Sequence, residues 1–256
     1  MKETTTKIEL TGESLVDVDV LADGSYIAIT TDGNVIFPFH RFRLPQTFKY
    51  PIIRLLSDNS FLVADSRTDG LKVNCFTYDL NGNNLMSFFA GDGIQDIEVC
   101  QKKIVVTYFD EGVFGSDGPN NFGLVVFDVD GKILFRYNEN RIDNIIADCY
   151  CLCKHGDNRI LFFPYTDFRL TELNVDTKEV KVCDVPEQVK GSHGLTSTND
   201  EIIFHSPYDD NRGLYKWTKP NKEAVKIGEY VEGLRGLTNG RFLSKGERGF
   251  TIIDLT

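Results

Sequence analysis

Two closely spaced pairs of aspartates are the first candidates for chemistry in this chain. Asp17-Val-Asp19 and Asp128-Val-Asp130 resemble the start of a calcium-binding loop, in which alternate residues supply oxygen ligands. In these two strings the next ligand position is taken by a leucine and by a lysine. We therefore interpret both pairs as carboxylates of strands and turns, not as a calcium site.

The most unusual local string is Cys149-x-Cys151-x-Cys153. Strand alternation predicts all three thiols on one face, with neighbours about 6.5–7 Å apart. That spacing is awkward for a single tetrahedral ion, and zinc motifs separate their cysteines by two or more residues. Because cysteine is among the most often buried residue types, we expect packing rather than metal binding.

Carboxylates recur beside aromatic side chains in four further segments, and we predict that these residues bind a partner. The candidates are Asp65, Asp69, Asp110, Glu111, Phe114, Asp117, Tyr165, Asp167, Tyr208, Asp209 and Asp210. Exposed acids flanked by aromatic rings suit a docking surface for a basic protein. The alternative is that the loops of an acidic protein are acidic in any case, so the fold must show whether these loops meet.

The elements that position these loops are repeated hairpins. FGLVVFDVDGKILFRY (residues 122–137) reads as two strands around an Asp-Gly turn, and similar strings begin near residues 73, 170 and 214. The residues that enter these turns lie 37 to 49 positions apart; they are Asp79, Asp128, Asn174, Trp217 and Asp254. A period in the forties, with strands throughout, is typical of β-propeller blades.

Each hairpin is preceded by another pair of strands around a turn, and such a pair also occurs at Leu15–Thr30, which makes six copies of the repeat in all. Six copies predict an all-β fold, a six-bladed β-propeller of four-stranded antiparallel blades that forms one domain over residues 1–256. The sixth copy ends after its third strand, FTIIDLT. The orphan segment Lys7–Leu10 has no partner of its own, so we expect it to supply the missing outer strand and close the ring.

In a propeller the loops from the second to the third strand of each blade share one rim with the loops between blades. The predicted partner-binding residues therefore lie on one rim. His193 precedes an inner strand, and Asp19, Asp96 and Arg235 occupy similar positions in other blades. These side chains are the best candidates for an enzymatic site at the mouth of the central channel, and solvated polar side chains are the alternative.

Composition limits the classes of function. The net charge is −10, from 38 acidic and 28 basic residues, which disfavours direct nucleic-acid binding and favours a basic partner or simply solubility. No apolar run is long enough to span a membrane, and MKETTTKIEL has no apolar core of a signal peptide. Six cysteines in a chain of this length without such a signal are expected to be free thiols, so we predict a cytoplasmic protein.

At the level of fold, the hairpins at Asp79, Asp128 and Asp254 and the orphan strand Lys7–Leu10 resemble those of six-bladed β-propellers. The Gly-His…Trp-Asp signature of WD repeats is missing, and Trp217 is the only tryptophan. Six-bladed lactonases hold a divalent metal with Glu, Asn and Asp. That ligand set does not map onto this chain, apart from candidates such as Asp96 and Asn144.

Small acidic propellers without a catalytic set are similar to bacterial immunity proteins of contact-dependent inhibition systems. The residues that carry this resemblance are Asp65, Asp110, Asp167, Asp209 and Asp210. It implies a non-catalytic protein, without a cofactor, that binds and blocks a basic cytosolic toxin such as a nuclease. The alternatives are a metal-dependent hydrolase or lactonase with its site at the channel, and a scaffold for another protein complex.

Overall fold

The computed structural model describes residues 1–21 and 23–256 and consists of six four-stranded antiparallel sheets arranged as blades around a channel. The chain begins with β1 (Lys2–Lys7), which belongs to the last blade. The first blade contains β2 (Leu15–Val20), β3 (Tyr26–Thr30), β4 (Asn34–Ile36) and β5 (Arg41–Arg43). The second contains β6 (Pro51–Ser57), β7 (Ser60–Asp65), β8 (Cys75–Asp79) and β9 (Asn84–Phe88).

The remaining blades repeat this order. The third contains β10 (Ile94–Cys100), β11 (Lys103–Tyr108), β12 (Leu124–Phe127) and β13 (Ile133–Arg136). The fourth contains β14 (Cys149–His155), β15 (Arg159–Pro164), β16 (Leu170–Asn174) and β17 (Val180–Cys183). The fifth contains β18 (Gly194–Ser197), β19 (Glu201–His205), β20 (Gly213–Thr218) and β21 (Val225–Glu229). The sixth contains β22 (Arg235–Gly236), β23 (Arg241–Gly246), β24 (Gly249–Asp254) and β1.

Helical structure is confined to connections. It comprises the one-turn helix α1 (Asp110–Val113) and the 3-10 turns Pro119–Phe122 and Glu187–Val189. Among the described residues, no helix has the length and apolar character that a membrane crossing requires. The predicted fold class, six four-stranded blades with a ring closed by the N-terminal strand, is confirmed.

The ring closes at a different segment from the predicted one. β1 pairs with β24 over six residues, from Lys2 opposite Asp254 to Lys7 opposite Gly249. The prediction of Lys7–Leu10 was wrong because it followed the apolar residues, whereas an outer strand mostly faces water and here reads KETTTK. Ile8 and Leu10 are only 5% and 4% exposed, because they fill the core between the sixth and first blades.

The turns follow the chemistry that the repeat predicted. The Asp128 carboxylate accepts hydrogen bonds from the backbone N–H groups of Asp130 and Lys132, at 3.0 and 2.8 Å. Asp79 and Asn174 accept equivalent bonds in their own hairpins. These side chains satisfy turn donors locally, which explains why Asp or Asn recurs at the entry of all but one of these turns.

Bulges in the inner strands were not predicted. In β2, β10 and β14 the pairing with the next strand skips one residue: Val16, Gln95 and Tyr150, respectively. An extra residue of this kind re-aims the side chains around it. All three skipped residues line the mouth of the central channel.

The bulge at Tyr150 also shows that the prediction of one shared face for the three cysteines was wrong, although all three pack in the core as expected. Cys149 packs in the core between the third and fourth blades, whereas Cys151 and Cys153 pack between the fourth and fifth. The three thiols therefore do not share one face, because the extra residue reverses the alternation after Cys149. All six cysteines of the chain are free, and all but Cys183 are buried.

Candidate functional site

One rim of the ring combines the loops within blades and the loops between blades, as the topology predicted. We call it the acidic rim. It comprises residues 8–14, 31–33, 44–50, 66–74, 89–93, 109–123, 137–148, 165–169, 184–193, 206–212, 230–234 and 247–248. The two kinds of loop are tied together, for example where the Asp92 carboxylate accepts a 2.7 Å bond from the Thr68 backbone N–H.

The acidic rim presents far more charge than the opposite rim. Its connections hold 18 aspartates and glutamates against 8 lysines and arginines, while the opposite connections hold 9 against 5. The two rims have a similar proportion of acids, so the excess comes from longer connections. A protein that docks on one face interacts with all the charged groups of that face. The larger total of acidic groups therefore favours a basic partner on the acidic rim.

Exposed apolar side chains are concentrated on the same rim. Of the 17 large apolar residues exposed in the described part of the chain, nine lie on the acidic rim and three on the opposite rim. The nine are Tyr50, Leu71, Val73, Phe114, Ile142, Ile145, Tyr165, Tyr208 and Val231. Exposed apolar groups rimmed by polar residues are typical of protein-interaction surfaces.

The predicted partner-binding residues fall into two groups. Asp69, Asp117, Asp167 and Asp209 are exposed, and their carboxylates make no hydrogen bond or ion pair with the described residues. Asp110 is exposed and accepts only a bond from the neighbouring Glu111 N–H. Phe114 projects from its loop with 74% of its surface exposed.

Three other predicted acids have partners within the protein. Asp65 accepts bonds from the Lys49 and Tyr50 backbone N–H groups, at 2.7 and 2.8 Å, and so anchors the loop between the first two blades. Glu111 pairs with Arg67 at 2.6 Å. Asp210 pairs with Lys226 at 2.7 Å and accepts a bond from the Tyr215 hydroxyl at 3.0 Å. These three carboxylates support the loops, and sequence spacing alone does not distinguish them from the free ones.

Tyr165 and Tyr208 belong to a larger group that we call the aromatic cluster: Tyr150, Tyr165, Phe168, His193 and Tyr208. The Tyr150 ring stacks on the His193 imidazole with 4.5 Å between centroids, and the Tyr150 and Tyr208 hydroxyls are hydrogen-bonded. Phe168 lies edge-on to Tyr165 and Tyr208, at 5.6 and 5.3 Å. The cluster joins the fourth and fifth blades at the edge of the channel.

Sequence reasoning placed His193 near the channel but missed Tyr150 and Phe168. Tyr150 lies within the cysteine string, and only the bulge turns it toward the channel mouth. Phe168 lies in the loop 165–169, and its backbone adopts the left-handed region, with φ of 48°. A bulky residue with positive φ is rare, so no sequence rule would have placed its ring there.

The channel mouth encloses a cavity of about 500 Å³ whose floor is an ion-pair network. Arg54 is buried and donates to the Asp17 carboxylate at 2.6 Å, to the Asp96 carboxylate, and to the Ile97 carbonyl at 2.7 Å. Burial alone would lower the pKa of Arg54, but the carboxylates of Asp17 and Asp96 raise it. Arg54 is therefore charged, and the carboxylates of Asp17 on β2 and Asp96 on β10 neutralise this charge.

A second pair closes the network deeper in the channel. Arg235 donates to the Asp19 carboxylate at 2.9 Å. Burial raises the pKa of Asp19, but the charges of Arg235 and Arg54 outweigh this effect and hold it below the ordinary value. Asp19 and Arg235 bind each other and Asp96 binds Arg54, so none of these three predicted residues is left without a partner.

His193 lines the cavity without an ion partner among the described residues. Burial lowers its pKa below the ordinary value, so the imidazole is neutral at pH 7. The described residues contain no group of three His, Cys, Asp or Glu side chains arranged to hold a metal ion. The suggested metal ligands Asp96 and Asn144 are engaged by Arg54 and by Arg169, the latter at 2.8 Å.

Asp148 connects the acidic rim to the aromatic cluster. Its backbone carbonyl accepts a 2.8 Å bond from the Tyr165 N–H, and it lies two residues before Tyr150. Burial, and to a smaller extent the nearby Asp110 carboxylate, raise the pKa of the Asp148 carboxyl to about 6. The ionised form of Asp148 therefore faces negative charge, and no ion pair with the described residues compensates it.

This pKa shift predicts a pH-dependent gain in stability for Asp148→Asn. Because the folded-state pKa lies above the ordinary 3.8, the stabilisation from protonating Asp148 is complete below that value and lost as the pH rises through about 6. We expect the variant to be about 1 kcal/mol more stable near pH 8, after discounting for exposure, and nearly unchanged near pH 4. Urea unfolding at both pH values, with exposed Asp167→Asn as the control, measures this. An equal change at both values would contradict it.

Comparison with known proteins identifies the fold and nothing finer. Neither a protein-family model nor a curated protein sequence matches this chain. Among solved structures, virginiamycin B lyase from Staphylococcus aureus is similar over 100% of this chain and 99% of its own, with a TM-score of 0.59 and 11% identity. The WD40 β-propeller domain of Doa1 covers 99% of this chain and 97% of that one, with a TM-score of 0.54 and 10% identity.

The WD40 repeats of RRP9 are also similar, over 98% of this chain and 97% of theirs, with a TM-score of 0.60 and 8% identity. This chain is therefore a β-propeller whose fold is similar both to that of an enzyme and to that of WD40 repeats. At these identities neither group assigns a function to it.

Proposed function

We propose that this protein is a non-catalytic binding propeller that docks a basic protein partner on its acidic rim. The observation that supports it best is the coincidence, on one rim, of exposed apolar side chains with carboxylates that have no partner among the described residues. Apolar and aromatic side chains contribute most of the affinity at interfaces, while surrounding charges steer the encounter and select the partner. Phe114, Tyr165 and Tyr208 are the anchors in this proposal, and Asp69, Asp117, Asp167 and Asp209 supply the steering charge.

In its most concrete form, the proposal is an immunity-type inhibitor of a basic cytosolic toxin such as a nuclease. Occlusion is the mechanism: the acidic rim covers the active site or the nucleic-acid groove of the toxin. The net charge of −10 supports this form, because a groove that binds phosphates is basic and complements a surface rich in carboxylates. A scaffold for another basic protein uses the same surface, and the identity of the captured partner separates the two.

Site-specific photo-crosslinking tests which rim binds. A photoreactive phenylalanine analogue replaces Phe114 on the acidic rim or Phe39 on the opposite rim, where Phe39 is 98% exposed. In cells that produce the protein, we expect a discrete crosslinked product from position 114 and none from position 39. Crosslinking at position 39 alone, or equally at both positions, would overturn the assignment of the acidic rim.

Once the partner is isolated, matched charge reversals test the steering role. The rim variant combines Asp117→Lys, Asp167→Lys and Asp209→Lys. Its control, on the opposite rim, combines the exposed Asp58→Lys, Asp130→Lys and Asp200→Lys, so both variants change the net charge by the same amount.

We expect the rim variant to associate about tenfold or more slowly at low salt, while the control changes little. The Debye length is about 8 Å at physiological salt, so the difference should shrink as salt is added. Thermal melts of both variants should stay close to the wild type, because exposed substitutions usually change stability by about 0.5 kcal/mol or less. Stopped-flow association across a salt series is the measurement. Equal rates for the two variants would remove the acidic rim from the interface.

A second candidate function is catalysis at the channel mouth. The observation that favours it is the neutral imidazole of His193 beside a cavity of about 500 Å³, in a fold that a virginiamycin B lyase shares. A neutral histidine at pH 7 is competent as a general base. If turnover of a small substrate is found, His193→Ala should abolish it.

A further inference from the structure

We infer that the aromatic cluster is the receptor for the guanidinium group of an arginine side chain that the basic partner inserts at the channel mouth. This inference deepens the proposed function and rests on it. It names the chemical group that the partner presents and the part of the rim that receives it.

The first support is the aromatic surface itself. Tyr165 and Tyr208 are 45% and 54% exposed, although each ring is held by neighbours of the cluster. Tyr165 lies nearly parallel to Tyr150, with 5.9 Å between centroids and 22° between planes. A partly exposed aromatic ring offers the negative face of its quadrupole to a cation.

The second support is the charge around the rings. Asp167 and Asp209 follow Tyr165 and Tyr208 in the chain, are exposed, and have no partner among the described residues. The half-buried Asp148 precedes Tyr150 and faces the carboxylate of Asp110. A bound cation would relieve this concentration of negative charge.

Two of the basic side chains close to the cluster in the chain, Arg169 and Lys190, are already occupied. The Arg169 guanidinium donates to Asp184 and to Asn144, each at 2.8 Å. Lys190 pairs with Glu187, also at 2.8 Å. These two cations are thus engaged elsewhere, and in this proposal the cation comes from the partner.

The third support is the backbone that holds the rings. Thr166 and Phe168 have φ values of 104° and 48°, and Ser206, two residues before Tyr208, has 58°. Non-glycine residues in such conformations cost free energy and cluster at functional sites. Gly191 lies directly beneath Tyr208, where an added Cβ would come within 2.3 Å of the ring. Four positions on two blades are therefore arranged to keep these rings in place.

Arginine fits these features better than lysine or an apolar anchor. Its planar guanidinium stacks on an aromatic face and at the same time donates two parallel hydrogen bonds to a carboxylate. An ammonium group is a more strongly hydrated point charge and stacks less well. An apolar anchor gains nothing from Asp148, Asp167 or Asp209.

The test uses the free side-chain group and the intact protein. N-acetyl-arginine amide is titrated into the protein while the tyrosine ring resonances are followed by NMR, and N-acetyl-citrulline amide, the neutral isostere, is the control ligand. We expect saturable shifts with the arginine probe, confined to the cluster, and binding at least about tenfold weaker with citrulline. No saturable shift with the arginine probe, or equal binding of both probes, would overturn the inference.

Matched variants locate the site. Tyr165→Leu keeps apolar bulk but removes the ring face, and Asp148→Asn keeps the shape but removes the charge. Each should weaken the arginine probe about fivefold or more, whereas Tyr50→Leu, an exposed tyrosine of the same rim outside the cluster, should not change it. Equal binding by wild type and Tyr165→Leu would place the probe elsewhere and refute the receptor. If crosslinking at Phe114 succeeds while the probe fails, the rim remains the interface and only the arginine receptor is lost.

Discussion

Deleting residues 1–10 is expected to open the ring and leave a protein that aggregates. The deletion removes all six residues of β1 and exposes the full edge of β24, which becomes a template for pairing with other chains. It also removes Ile8 and Leu10, whose burial contributes roughly 1.5–3 kcal/mol each. Domain stability is typically about 5–15 kcal/mol, so the loss is a large share of the total.

Thermal melting and size-exclusion chromatography measure this effect, and a shorter deletion separates its two parts. Removing only residues 1–6 takes away most of the closing strand but keeps Ile8 and Leu10 in the core between the sixth and first blades. We expect this shorter deletion to melt between the wild type and the longer deletion. A monodisperse longer deletion with an unchanged melting temperature would show that β1 does not close the ring in solution.

Replacing Arg54 by methionine is expected to be the most damaging single substitution in the channel. Arg54 is 3% exposed and joins Asp17 to Asp96, so its loss leaves two partly buried carboxylates without their cation. Removing one partner of a buried ion pair typically costs about 3–5 kcal/mol, because the remaining charge is uncompensated. The variant also loses the hydrogen bond to the Ile97 carbonyl.

Arg67→Met is the matched control for this substitution. Arg67 also bridges two acids, Asp92 and Glu111, but its side chain is 42% exposed, and exposed ion pairs contribute about 1 kcal/mol or less. Adding Asp17→Asn and Asp96→Asn to Arg54→Met should recover part of the stability, because the uncompensated charge disappears. Urea unfolding is the measurement. Equal losses for Arg54→Met and Arg67→Met would show that the channel network is not a structural element.

Stability and partner binding depend on different parts of the molecule. The ring closure and the channel network hold the blades together, whereas the acidic rim and the aromatic cluster have exposed groups without internal partners. Substitutions in the first group should change stability, and substitutions in the second should change binding with little effect on stability. Asp148 belongs to both groups: its charge destabilises the fold above pH 6, and in our proposal it attracts the partner.

The sequence by itself determined the features that depend on neighbours within a few residues. Three of the hairpins can be predicted from their turn-entry residues, Asp79, Asp128 and Asn174, because each of these side chains bonds to the backbone of its own turn. The count of all repeats, including the copy at Leu15–Thr30, predicts six blades, and the order of strands in a blade then places the acidic loops on one rim. None of these predictions depends on the side-chain contacts between neighbouring blades.

Tertiary structure decided the features that depend on residues far apart in the chain. The closing strand lies at Lys2–Lys7 because Ile8 and Leu10 are drawn into the core between two blades, a contact with no local signal. Tyr150 meets His193 and Tyr208 only because a bulge reverses the strand alternation after Cys149. Turns can be predicted from the sequence because their hydrogen bonds are local. Packing between blades brings together residues that are about one repeat apart, so only the folded ring shows which side chains remain without a partner.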